Sequence, residues 1–377
     1  MKSYLRRIIA RVAPHLLGDA EFQKMLASLA RQHPDSMPEH PDYFQFPLRL
    51  PSDIERRLDQ IPTQTSLSER RFLYQFFCCL WTGEHDVVEI GPFLGGTTRA
   101  IAMGMQANPR GQSEARLYTF DRFKSYFGKE ELTKLLQPLL DNGLLHTNDL
   151  EAMGEDTAFM DVFRTIHGGN DYFACVEPSD FGVPDSPGQD GDWLTLAPDF
   201  KTDAVFIDGC KSWYGTKYFM QAISHAARPG AVILFQDYGW YTCFWLSAFV
   251  EQFADQLALI GHVDNTYAFS LRKPLFKDEI ERQFADTPEQ MGRDQLAGLM
   301  DRQVEKARAR GDRFAVVRHT MHKAAAMAYI GESDRARTIL SEAERLPDAG
   351  YHAHVIQSAW ESPTYRPDGP VTLGRST

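Results

Sequence analysis

The 377-residue sequence predicts an α/β fold: a doubly wound, mostly parallel sheet with helical extensions at both ends. Two observations lead there. Short β-branched or aromatic runs alternate with helical stretches from about Ser66 to Lys273, a spacing that calls for crossover connections. The runs at 204–207 and 231–235 are apolar throughout, as strands buried on both faces are.

In chain order, a helix resumes near Ser66, with Ser68 as its cap and Phe72, Phe76 and Leu80 on one face. Residues 86–90 form the first strand and 97–106 an Ala-, Met- and Ile-rich helix. Residues 115–120 are the second strand, 132–140 a helix, 172–176 the third strand and 204–207 the fourth. A helix over 213–227 ends at Pro229-Gly230, and the fifth strand, 231–235, follows. Residues 267–271 read as the last strand. The stretch from Pro178 to Pro198 carries four prolines and three glycines with Asp180, Asp185, Asp190 and Asp192, and reads as a long loop placed to act as a lid.

The ends differ in kind. Residues 1–65 are an N-terminal helical and linker region. It starts with Arg6, Arg7 and Arg11 interleaved with Leu5, Ile8, Ile9 and Val12. That pattern suits an amphipathic helix packed on the body or, as the alternative, lying on a membrane surface. Pro34 to Pro51 cannot continue a helix. The α/β body takes 66–275. Residues 276–361 form a helical appendage with helices near 294–310, 314–330 and 333–346, suited to packing or to homo-oligomer formation. Residues 362–377 read as a frayed tail.

Composition narrows the partners. Forty basic against 51 acidic residues give a net charge of -11, which disfavours bulk attraction to nucleic acid. Five cysteines without a Cys-x-x-Cys fit reduced thiols and a cytoplasmic location. No apolar run reaches the length of a membrane span.

The chemistry concentrates at strand ends. The run from Val87 to Thr98 (VVEIGPFLGGTT) is a buried strand, an acid, a glycine turn and a helix opened by Gly95, Gly96 and Thr97. Glycine permits positive φ and close approach, and the helix start offers free N–H groups. A dinucleotide fingerprint would need glycine where Phe93 stands, which disfavours an NAD-dependent enzyme. Gly95-Gly96 alone could equally be a plain tight turn. Asp121, next to Arg122, closes the second strand, where an acid can hold both ribose hydroxyls.

Glu89, Gly91 and Asp121 in this strand order resemble the cofactor site of class I S-adenosylmethionine-dependent methyltransferases. The likeness extends through Val205-Phe206-Ile207-Asp208-Gly209 and Arg228-Pro229-Gly230 to Phe235-Gln236-Asp237-Tyr238, and covers about 66–273. It implies a Rossmann-like seven-stranded sheet. It also implies S-adenosylmethionine bound through Glu89, Gly91, Phe93, Gly95, Gly96, Thr97, Asp121, Arg122 and Asp208. The implied reaction is O-methylation of a small molecule or glycan hydroxyl. A non-catalytic nucleoside-binding protein is the alternative.

Asp208, Lys211 and Asp237 resemble the catalytic set of catechol-type O-methyltransferases, in which two acids and an amide hold Mg²⁺ and the lysine is the base. The amide position after Asp237 is Tyr238, a departure from that pattern. Asp208 and Asp237 are thus candidate Mg²⁺ ligands or, alternatively, carboxylates that orient substrate. Lys211 is a base if its pKa is lowered, otherwise a solvated lysine. Trp213, Tyr214, Tyr238, Trp240 and Tyr241 either wall a substrate or pack the core. His225 and His262 have no partner at catalytic spacing.

Overall fold

The computed structural model describes residues 50–373 except 111–113, 126, 154–157 and 210. The expected N-terminal amphipathic helix and all but the end of the Pro-rich linker lie outside the described residues.

Two helices, α1 (Ser52–Asp59) and α2 (Leu67–Gln75), lead through a π-helical turn (Phe76–Leu80) into β1 (Asp86–Ile90). The body continues as α3 (Gly96–Ala107), β2 (Leu117–Asp121), α4 (Lys129–Asp141), α5 (Thr147–Ala152), α6 (Met160–His167), β3 (Val176–Asp180) and β4 (Thr202–Ile207). It closes with α7 (Trp213–Ile223), β5 (Ala227–Phe235), α8 (Phe244–Gln252), β6 (Leu257–Val263) and β7 (Thr266–Leu271). The seven strands lie in the order β3-β2-β1-β4-β5-β7-β6. All neighbours among the first five are parallel, and β7 runs antiparallel to both β5 and β6. This is the Rossmann-like, seven-stranded sheet that the resemblance implies.

Strand period two explains why the central strands read as unbroken apolar runs. Val88, Ile90, Val205, Ile207, Ile233 and Phe235 enter the core on one face of the sheet. Val87, Leu117, Ala204, Phe206 and Leu234 enter the core on the other, beneath α2 and α3. The first of these cores runs on into the C-terminal helices: α9 (Lys277–Gln283), α10 (Pro288–Met291), α11 (Arg293–Ala309), α12 (Arg313–Tyr329), α13 (Ser333–Glu344) and α14 (Ala353–Glu361). Met321, Ala324 and Ala328 of α12 and Leu296 and Met300 of α11 share it with the sheet, so the small-residue face of α12 is spent on close packing.

Five expectations need correction. Helix α7 stops at Ile223 rather than 227, and Pro229-Gly230 lies inside β5, which already starts at Ala227. Helix α2 is capped by Ser66, not Ser68. The Ser66 side chain accepts from the Glu69 amide at 3.1 Å and Glu69 accepts from the Ser66 amide at 2.8 Å, a capping box. Residues 171–175 form a 3-10 turn, and the third strand lies beyond it at Val176–Asp180, across Pro178. Because β3 is at the sheet's edge, the missing proline N–H leaves no central ladder bond unmade. Strand β6 was not anticipated; a register shift between Leu259 and Gly261 breaks its alternation. The tail is not frayed as far as residue 373: β8 (Thr364–Arg366) and β9 (Gly369–Val371) pair as a hairpin, and the Thr364 hydroxyl, fully buried, donates to the Thr242 carbonyl at 3.0 Å. Among the described residues no helix is long and apolar enough to cross a membrane.

Candidate functional site

The carboxyl edge of the parallel strands carries the candidate cofactor-binding and catalytic residues, in two groups. The first surrounds the tips of β1 and β2. Glu89 is wholly buried, and its two oxygens accept from the Thr97 hydroxyl at 2.7 Å and the Thr98 hydroxyl at 2.6 Å. Burial pushes its pKa up to about 7, against the pull of those two hydroxyls. Glu89 and Thr97 thus tie the start of α3 to β1. Gly91 and Gly95 have φ of +79° and +83°. A Cβ on Gly91 would stand 2.5 Å from the Gly209 amide, and one on Gly95 2.1 Å from His167 Nε2. Gly96 is pressed in the same way on Thr63. These glycines serve the chain's own packing first.

His167, from α6, plugs the turn from below. Its Nε2 lies 2.9 Å from the Leu94 carbonyl and its Nδ1 2.8 Å from the Tyr172 hydroxyl, and burial drops its pKa to about 3. Sequence reasoning missed it, because seventy-odd residues separate it from the turn. Phe93 has φ of 49° and packs on Phe127 and Phe159. Its amide donates to Asp121 at 3.3 Å, and the Phe123 amide does so at 2.9 Å. Asp121 remains partly exposed at the tip of β2; burial raises its pKa against those amides. A carboxylate has about four lone-pair sites, so Asp121 keeps acceptor capacity for a hydroxyl. Arg122 is directed elsewhere: its guanidinium lies 4.5 Å from the Trp193 ring and against Gly182, where it fastens the 178–198 loop. That loop is ordered by its own bonds, Gly182 amide to Asp192 carbonyl at 3.0 Å and Leu194 amide to Gly182 carbonyl at 2.8 Å.

The second group sits at the tips of β4 and β5. The Lys211 ammonium donates to Asp208 at 3.0 Å, to Gln236 Oε1 at 3.0 Å, and to Asp237. Asp237 adopts φ of 62°, a left-handed conformation costly for a residue with a Cβ, and one that clusters at functional sites. Burial opposes charge on Lys211, but the carboxylates of Asp208 and Asp237 outweigh it and hold the ammonium above its ordinary pKa. The lysine is therefore not set up as a free base, contrary to the expectation of a lowered pKa. One ammonium neutralises one carboxylate. The second negative charge is left in a poorly solvated place, and Asp208 is pushed up to about 7 by burial, opposed by Lys211 and reinforced by Asp237.

The donor set does not fit Mg²⁺. The two acids and the amide oxygen of Gln236 converge on Lys211 Nζ, so a cation already stands where the metal would. No cluster of three His, Cys, Asp or Glu side chains suited to a metal occurs among the described residues. The amide sought after Asp237 lies before it in sequence, at Gln236; Tyr238 instead turns into the core, where its hydroxyl donates to Gln303 at 3.1 Å.

Two clefts flank this cluster. One, of about 540 Å³, opens past Asp208, Gln236 and Asp237 to Trp240, Asp264 and Arg318. The other, of about 620 Å³, lies beyond Lys211 and is walled by Pro187, Trp213, Trp245, Tyr329 and Arg366. The aromatics thus divide. Trp213 stacks on Phe284 at 4.2 Å and still borders a cleft, Trp240 borders the other, and Tyr241 is buried. The C-terminal hairpin's part in a cleft wall had no signal in the sequence, since residues 362–373 match no motif. His262 pairs with Asp312 at 3.4 Å and stacks on Tyr267, and His225 meets the Ala197 carbonyl at 3.0 Å, both outside the cluster.

A seven-stranded doubly wound sheet with its acids and glycine turn on the carboxyl edge is the arrangement that the resemblance to class I S-adenosylmethionine-dependent methyltransferases implies. No family model matches the sequence, and no curated protein does. Solved structures similar to it include the O-methyltransferase NovP, at 13% identity and TM-score 0.39, over 68% of this chain and 100% of NovP. The Podospora anserina methyltransferase PaMTH1, bound to SAH, aligns at 12% identity and TM-score 0.32, over 68% of this chain and 97% of its own. Cofactor-bound Rv0187 from MTB aligns at 17% identity and TM-score 0.31, over 59% and 87% respectively.

Proposed function

We propose that this protein is an S-adenosylmethionine-dependent methyltransferase acting on a hydroxyl of a small molecule or glycan. The observation that carries the reading is the Asp208–Lys211–Asp237 cluster, held at the carboxyl edge between two clefts, with the partly exposed Asp121 two strands away on the same edge. Asp121 would hold the ribose and the backbone at Gly91 would border the amino-acid end of the cofactor. When bound, S-adenosylmethionine supplies a methyl group on a sulfonium, transferred in line to the acceptor oxygen while the carbon–sulfur electron pair returns to sulfur.

The protein's task is to align the acceptor and remove its proton. Asp208 suits proton removal better than Lys211. A carboxylate with a pKa near 7 is ionised in part at neutral pH and can still take a proton. Lys211, kept as an ammonium, offsets the negative charge that builds on the acceptor oxygen and on the acid pair. The larger cleft offers aromatic faces for the acceptor, and Trp245 Nε1, buried without a partner, is an N–H donor waiting for an acceptor oxygen.

Calorimetry with S-adenosylmethionine and, separately, NAD tests the reading. Saturable heat with the first alone is expected. No heat from folded protein with S-adenosylmethionine would defeat it. Turnover is expected to persist in EDTA, because Lys211 supplies the positive charge.

A further inference from the structure

A third cavity, of about 250 Å³, lies away from the strand tips, in the seam between α8, β6, β7 and the C-terminal helices α11 and α12. It has two unlike walls. Val250, Leu257, Leu259 and Phe269 make one apolar. Arg272, Lys306 and Arg310 bring three cations to the other, against the single lining acid Glu251. Glu251 is itself already satisfied, by Arg302 at 2.9 Å, Lys306 at 2.8 Å and Gln303 at 3.1 Å.

Two polar atoms of the lining are buried without a hydrogen-bond partner: His319 Nε2 and Arg310 Nε. His319 is 1% exposed, and its other ring nitrogen is occupied by His322 Nδ1 at 3.4 Å. His322 donates from Nε2 to the Trp240 carbonyl at 2.8 Å, so its bare Nδ1 accepts from the His319 Nδ1–H; His319 Nε2 is then a lone pair in need of a donor, and Arg310 Nε an N–H in need of an acceptor. Water alone would satisfy them, but it gains nothing from the apolar wall.

We propose that this cavity is a second ligand site, for a small organic anion with an apolar body. The anionic head would accept from Arg310 Nε, near Arg272 and Lys306, with a water donating to His319 Nε2, and the body would lie on Val250, Leu259 and Phe269. At about 30 Å³ per water the space equals roughly eight waters, enough for a ligand of about ten heavy atoms. Such a ligand would bridge the sheet and the C-terminal helices and touch Tyr238, which directly follows Asp237 in the chain. The site makes no use of the methyltransferase reading and stands or falls apart from it.

The test is calorimetry of the full chain with octanoate, 1-octanol and inorganic phosphate. Octanoate should bind saturably at one site per chain, at least tenfold more tightly than either of the other two. Arg310→Gln should weaken it at least tenfold. Ala309→Trp, at the exposed rim of the cavity, should do the same by obstruction, without removing a charge. Absence of saturable octanoate binding, octanol binding as tight as octanoate, phosphate binding as tight as octanoate, or octanoate affinity unchanged in both folded variants would each overturn the proposal.

Discussion

The tips of β1 and β2 and the tips of β4 and β5 share one sheet edge and opposite designs. At the first, Asp121 keeps acceptor capacity at the tip of β2, and the groups around it are closed on the protein itself. Glu89 is capped by two threonines, the glycines are filled from behind by His167 and Thr63, and Phe93 is packed among rings. At the second, the charges face two clefts, and Asp237 sits in a left-handed conformation. The first edge is a rigid frame, and the second is where protons can move. Gly91 joins them, since its Cα lies against the Asp208–Gly209 backbone.

The largest effect should fall on the open edge. Asp208→Asn keeps the shape of the side chain and removes its ability to take a proton. Turnover should fall by about 10²–10⁴, the usual yield of a positioned acid or base, with binding of S-adenosylmethionine little changed. In the unaltered protein kcat/KM should rise with pH through about 7, as Asp208 ionises, and the residual activity of the variant should lose that rise. A variant that keeps full activity and the same profile would move the base elsewhere.

Gly91→Ala asks whether the closed edge truly supports the open one. The new Cβ would meet the Gly209 amide at 2.5 Å and the Asp208 carbonyl carbon at 2.8 Å, at a φ of +79°. Backbone strain and overpacking together predict a loss of about 3 kcal/mol or more, read as a lower denaturation midpoint. Activity should drop as well in the fraction that stays folded, because relief of the clash displaces Asp208. Unchanged stability would show that the two strand tips are less tightly abutted than they stand here.

The two edges also differ in how far they could be read from sequence. The frame was legible in outline, because Glu89, the glycine turn and Asp121 follow one another along a strand–turn–helix–strand path. What filled the frame was not: His167 and Thr63 reach it from distant segments, and no local pattern announces a side chain that occupies a glycine's missing Cβ. At the open edge Asp208, Lys211 and Asp237 were legible as members of one site. The sign of the Lys211 shift was not, because it depends on two carboxylates from different strands meeting one ammonium. Strand β3 was displaced by a proline that only an edge position tolerates, and β6 was hidden by its register shift.

Glu89 provides the finest distinction between frame and reaction centre. Its pKa is raised to about 7 from 4.5 by burial, so the folded protein favours its protonated form. Stability from this group is fully present below about pH 4.5. As pH rises the unfolded chain ionises first, and the contribution is lost progressively up to the folded pKa near 7. At about 1.4 kcal/mol per pH unit, the loss between pH 5 and 7 is on the order of 2 kcal/mol. Glu89→Gln keeps a neutral side chain of the same shape between Thr97 and Thr98, and should remove that part of the pH dependence. Urea midpoints of the two proteins should therefore diverge as pH rises from 5 to 7, the variant becoming relatively more stable, and run parallel above about 7. If the midpoints ran parallel from pH 5 upward, Glu89 would be ionised in the folded protein throughout. The frame would then hold a third carboxylate charge beneath the acids of the reaction centre.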